Sequence, residues 1–119
     1  MFDHVSLKVK DAARSRAFYE KALAPLGYKV ISEYEGGLGL GAEDRSALWI
    51  GQGQPHAPGV HLAFAASDPA AVQAFHKAAL AAGGKDNGAP GPRPDYGPHY
   101  YAAFAHDPDG NNVEAVCNR

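Results

Sequence analysis

A chain of 119 residues suits one compact domain, which would bury roughly two-thirds of its unfolded surface. Its 11 basic and 13 acidic side chains leave a formal charge of -2, with Lys and Arg scattered rather than clustered, so nucleic acid is not the expected partner. One cysteine excludes an intrachain disulfide and a cysteine-rich zinc site, and no apolar run approaches a membrane span; with no signal-like start, the expected location is cytoplasmic.

In chain order, residues 2 to 10 alternate. Val5, Leu7 and Val9 point one way and His4, Ser6 and Lys8 the other, which predicts a strand with one buried face. Asp11 is a candidate N-cap for a helix from about Ala12 to Ala24, ended by Pro25 and Gly27. From Tyr28 to Gly51 the helical period gives way to two or three short runs, an antiparallel meander. Pro55, Pro58 and Gly59 form a linker. His61 to Ala65 alternate again, and Asp68-Pro69 opens a helix that closes at Gly83-Gly84. Four prolines between Pro90 and Pro98 predict a surface loop, with at most a short strand near Lys85. A strand is expected from about His99 to His106, a hairpin turn at Asp107–Asn111, and a last strand from Asn112 to Cys117. That turn lacks the Gly and Glu of a calcium loop, Asn112 and Asn118 standing in their places.

The first quarter of the chain repeats in its second half. A shift of 57 places His4 on His61, Asp11 on Asp68, Phe18 on Phe75, Leu23 on Leu80 and Gly27 on Gly84. Nine of the 24 aligned positions are identical, four of them Ala, so the ordered match of His, Asp, Phe, Leu and Gly carries the inference. The chain is two copies of a strand-helix unit sharing one core, about 1–54 and 58–119.

Three predicted strands each set one ionisable side chain on the face their apolar residues avoid: His4, His61 and Glu114. Two imidazoles and a carboxylate from three strands of a curved sheet form a facial set that leaves open positions on a divalent ion. A lone strand histidine is usually a half-exposed polar residue; the repeat relation between the two is what raises this set above that reading. Glu114 among apolar neighbours is costly unless paired. Of Arg93, Tyr96, His99, Tyr100 and Tyr101 in or beside the Pro-rich segment, Tyr96 and His99 are the first candidates to orient a substrate oxygen or anion. Cys117 falls on the apolar face of its strand and is expected in the core.

Through DHVSLKVKDAARSRAFYEKAL, GVHLAFAASD and AFAHDPDGNNVEAV, the chain resembles the vicinal oxygen chelate superfamily, the glyoxalase/bleomycin resistance/dioxygenase fold. The resemblance covers essentially the whole chain and implies an α+β fold: two βαβββ modules in one domain, a curved mixed sheet around a cleft, and metal ligands on the first and last strands of each module. It implies a small-molecule substrate and a homodimer. The repeat aligns Trp49 with Glu114, so tryptophan stands where glyoxalase I enzymes carry a second glutamate; this disfavours lactoylglutathione lyase activity. The leading expectation is a metal-dependent lyase or isomerase in which His4, His61 and Glu114 hold zinc, iron, nickel or manganese. Glu114 would also move protons, and Ser6, Trp49, Tyr96 and His99 would line the cleft. The alternative is a metal-free module that binds a small molecule or antibiotic. Extradiol dioxygenases and fosfomycin-resistance thiol transferases keep a His, His, Glu set too, but the tyrosine they place ten residues before the glutamate is Phe104 here. A structural protein with a remnant triad is the blandest reading.

Overall fold

The computed structural model describes residues 2–118. The first module comprises β1 (Val5–Val9), α1 (Ala12–Leu23) with a 3-10 turn at Ala24–Leu26, then β2 (Lys29–Tyr34), β3 (Gly37–Gly41) and β4 (Leu48–Gln52). The second repeats the order with β5 (His61–Ala65), α2 (Pro69–Ala81), β6 (Lys85–Pro92), β7 (Tyr100–His106) and β8 (Asn112–Asn118). The fold is α+β. Among the described residues, eight strands divide into two four-stranded mixed sheets, ordered β1-β4-β3-β2 and β5-β8-β7-β6. In each, the first and last strands of a module run parallel and the other pairs antiparallel.

Both helices start where a carboxylate can satisfy a free backbone N–H. Asp11 accepts from Arg14 N at 3.2 Å and Asp68 from Ala71 N at 2.8 Å, and Pro69 takes the first helical position, where its missing donor costs nothing. The repeat-related Phe18 and Phe75 are both fully buried in one core shared by the modules, with Leu7, Val9, Leu40, Ile50, Val72 and Val113. Val113, Ala115 and Cys117 face this core from β8. Leu23 is buried in the core, while its counterpart Leu80 is 37% exposed.

Register fixes the internal correspondence. Trp49 pairs with Ser6, two residues after His4, and Glu114 pairs with Ala63, two residues after His61. Trp49 therefore occupies in the first sheet the position that Glu114 occupies in the second.

Of the segment expected as a surface loop, residues 93–99 are one, but the short strand expected near Lys85 is the eight-residue β6, which takes in Pro90 and Pro92. It tolerates Pro90 and Pro92 because it is the edge of its sheet, where a missing N–H interrupts no central ladder. Its register with β7 shifts between Asp86 and Gly88 and again between Gly88 and Gly91, so the strand is irregular as well as long.

In the first sheet, a Cβ on Gly41 would lie 1.8 Å from the Arg45 carbonyl oxygen, because the returning segment after β3 passes directly over it. Gly41→Ala is expected to lower folding stability by about 2 kcal/mol through this overpacking. Urea unfolding checks it; an unchanged midpoint would mean that the segment yields freely.

Candidate functional site

The outer face of the second sheet gathers polar groups around Glu114. This side chain is 1% exposed, yet it lies on the face of β8 opposite Val113 and Ala115. Such a carboxylate needs partners for both oxygens. His61, the first residue of β5, supplies one: its Nε2 lies 2.7 Å from Glu114 Oε1. The Tyr100 hydroxyl donates to Glu114 Oε2. Among the described residues, no buried side-chain nitrogen or oxygen is left unpaired.

Tyr100 reaches Glu114 along the strand rather than across it. The residue directly opposite Glu114 is Phe104, and Tyr100 stands four residues earlier on the same face of β7. The residue between them on that face is Ala102, small and fully buried, over which the ring can lie. The hydroxyl that a tyrosine at 104 would have brought is thus supplied from 100. Burial first, then the hydrogen bond and the charge of Glu114, push the Tyr100 phenol up to about 12, so it stays a neutral donor at ordinary pH.

Phe104 is the floor of the arrangement. The His61 ring centre lies 6.1 Å from that of Phe104, and the Arg93 guanidinium carbon lies 5.4 Å from it. Tyr96 packs edge-on against Tyr100 at 5.3 Å between ring centres and is itself 65% exposed. His99 is exposed beside it.

The structure brings His61 and Glu114 together and leaves His4 apart from them. His4 precedes β1 and is exposed, and its Nδ1 pairs with Asp3 Oδ1 at 2.8 Å. It lines a cavity of about 330 Å³ with Tyr28, Leu62 and Phe64, which does not include His61, Tyr100 or Glu114. Among the described residues, no group of three or more His, Cys, Asp and Glu side chains is placed to hold a metal ion. The physical reason is topological: β1 and β5 edge different sheets, so equivalence under the repeat does not make their histidines neighbours.

On the first sheet, the outer face is aromatic. Trp49 and Tyr34 lie 6.3 Å apart between ring centres. A Cβ on Gly39 would come within 2.9 Å of Trp49 Cζ3, and one on Gly37 within 2.4 Å of the Tyr34 ring, so the glycines let both rings lie against the backbone. Ser6 is exposed on β1, beside Trp49.

The sequence brought Tyr100 and Arg93 forward only behind Tyr96 and His99, and Phe104 only as standing in place of a tyrosine. A usable signal existed for Tyr100 and Phe104, since residues 100, 102 and 104 alternate onto one face of a recognisable strand. Nothing local ranked Arg93 above its neighbours, because its placement depends on the irregular β6.

Comparison with known proteins agrees with the architecture. No curated protein matches the chain. A glyoxalase/bleomycin resistance protein from Albidiferax ferrireducens T118 is 33% identical, with a TM-score of 0.81 over 100% of this chain and 99% of that one. A glyoxalase-related enzyme from Fulvimarina pelagi, 18% identical, shares the fold with a TM-score of 0.75 over 99% of this chain and 88% of its own. A glyoxalase/bleomycin resistance protein/dioxygenase family enzyme from Burkholderia phytofirmans PsJN, 19% identical, does so at 0.74 over 98% of each. The profile of the Glyoxalase/Bleomycin resistance protein/Dioxygenase superfamily matches residues 1–115, and the chain belongs to that superfamily.

Proposed function

We propose that the chain is a small-molecule enzyme in which His61 and Glu114 are two ligands of a divalent ion and His4 of a second copy is the third. The reaction class is the lyase or isomerase type expected from the sequence. The observation that carries this reading is the buried Glu114 carboxylate held against a half-exposed imidazole: the His61 side chain is 53% exposed and Glu114 1%. One nitrogen and one carboxylate oxygen 2.7 Å apart, on a sheet face open at the imidazole, are a donor pair suited to zinc, iron, nickel or manganese. They are two of the three ligands. The chain's own His4 is turned to Asp3, and β1 and β5 are both edge strands, which supports completion by a second copy.

Such an ion supplies a Lewis acid for neighbouring oxygens of a substrate. Tyr100 donates to Glu114 Oε2 and fixes the carboxylate's orientation, leaving Oε1 directed at His61. Glu114 is the group placed to take and return a proton there. Phe104, with Tyr96 and Tyr100, forms an aromatic wall on one side of the imidazole.

A metal-free binding module is the second reading. It is favoured by one specific observation: both oxygens of Glu114 already have partners within the chain, so the network closes on itself. The platform of exposed Tyr34 and half-buried Trp49 would then be the ligand surface.

Elemental analysis of untagged protein, with zinc and manganese reconstitution, separates the two. Bound metal is expected in the wild type and background metal in His61→Ala and in His4→Ala, an affinity loss of more than about 100-fold. Mixing the two variants restores one intact site of the two in each mixed dimer; random exchange makes about half of the dimers mixed, so about a quarter of the wild-type occupancy returns. Wild-type occupancy in His61→Ala overturns the proposal, and no metal in any form of the protein leaves the binding module.

A further inference from the structure

Resting on the same site, we infer that its ligand carries an oxyanion, a carboxylate or phosphoryl group beside the oxygens that face His61, and that Arg93 binds it. The structure takes unusual steps to lay this side chain on the sheet. Arg93 N donates to Tyr100 O at 2.8 Å, which fixes the backbone beside β7. The guanidinium then folds back along β6. Nη2 donates to Ala89 O at 2.7 Å and Nη1 to Pro92 O at 3.5 Å, and the group comes to rest over the Phe104 ring.

Glycines clear its path. A Cβ on Gly88 would lie 3.2 Å from Nη2 and 2.9 Å from Phe104 Cδ1, and one on Gly91 would lie 3.3 Å from Nη1. Gly88 also has φ +154, a backbone conformation that other residues rarely adopt. Both glycines lie at the register shifts of β6, and their missing Cβ atoms leave room for a guanidinium over the floor of the site.

That charge has no counterpart in the chain. Arg93 is half-buried, and among the described residues no carboxylate is within ion-pairing distance of it. Two carbonyls occupy two of its five N–H groups, and the remainder are free to form a forked contact with an oxyanion. Glu114, the buried carboxylate of this face, is already bonded to His61 and Tyr100. Arg93 and His61 both approach the Phe104 ring, so a ligand lying on Phe104 meets a fixed cation as well as the imidazole.

The test is titration of the full chain, with and without zinc, using lactate, hydroxymethylphosphonate and the uncharged propane-1,2-diol, followed by amide chemical shifts of residues 88–104. At least one anion is expected to bind about ten-fold or more tightly than the diol, and Arg93→Gln to abolish that preference. The stronger of the two identifies the oxyanion as carboxylate or phosphoryl. Arg93→Gln should keep the wild-type urea midpoint and zinc content, since it touches neither the core nor His61 and Glu114. Arg93→Lys, which keeps the charge without the fork, should recover part of the preference. Equal binding of anions and diol, or an undiminished preference in Arg93→Gln, overturns the inference. Failure of zinc to bind while the anion preference persists would count against the metal reading alone.

Discussion

Asp107→Ala is expected to cost about 4 kcal/mol of folding stability, because one buried carboxylate collects four donors, each worth about 1 kcal/mol when orphaned. Asp107 Oδ1 accepts from Asp109 N at 2.9 Å and Asn111 N at 2.8 Å, and Oδ2 from Asn111 Nδ2 at 2.9 Å and from the Tyr19 hydroxyl. Asp107 is 5% exposed, Asn111 2% and Tyr19 0%, so water cannot replace the lost acceptor without opening the core. Tyr19 belongs to α1 of the first module, whereas Asp107 ends β7 of the second. The same turn receives Lys10 N on Asp109 Oδ1 at 3.1 Å, and Asn111 Oδ1 accepts from Val60 N at 2.9 Å. The hairpin turn is therefore the latch between the two repeats. Burial, then the neighbouring Asp107 charge, raise the Tyr19 phenol well above its ordinary value, which keeps it a donor throughout the range where the protein would be studied. Tyr19→Phe removes one donor and leaves the other three satisfied, so it should cost only about 1 kcal/mol. Urea unfolding of both variants and of the double variant measures the coupling. An Asp107→Ala cost no greater than that of Tyr19→Phe would show that the turn does not hold the modules together.

The repeat was legible because its signals are local. Asp11 and Asp68 cap their own helices, Phe18 and Phe75 sit at matching points of an apolar stripe, and strand alternation needs only neighbours to be read. Glu114 was legible for the opposite reason, as a residue that contradicts its strand. What could not be read depended on contacts between elements. Glycines and prolines from Gly88 to Pro92 describe a loop to any local rule, and they form a strand because β7 offers its edge. The partner of Glu114 lies four residues along β7 from the position directly opposite, and only the small Ala102 between them hints that a tyrosine could span the distance. His4 shows the limit most clearly. Its local pattern equals that of His61, but convergence of the two is a property of how sheets or copies pack, which no repeat encodes.

Glu114→Gln is expected to reduce bound metal to background while changing folding stability by less than about 1 kcal/mol. The two effects separate because the substitution preserves shape and removes charge. A glutamine carbonyl can still accept from the Tyr100 hydroxyl, and its amide can still donate to an imidazole nitrogen, so both contacts of the native carboxylate have replacements. A buried charge carries a desolvation cost that its neutral isostere does not, which offsets the weaker hydrogen bonds. Metal binding has no such compensation, since a neutral amide is a poor ligand for the ions that imidazole and carboxylate share. Glu114→Ala is the contrasting variant: it should also lose the metal, but in addition lose about 2 kcal/mol from the space left beneath Phe104 and Tyr100. Elemental analysis and urea midpoints on the three proteins read both quantities. Retained metal in Glu114→Gln would remove Glu114 from the ligand set. A stability loss of about 3 kcal/mol in Glu114→Gln would instead make the His61–Glu114 pair a structural ion pair, because only a charge that the fold depends on is missed when its shape and hydrogen bonds remain.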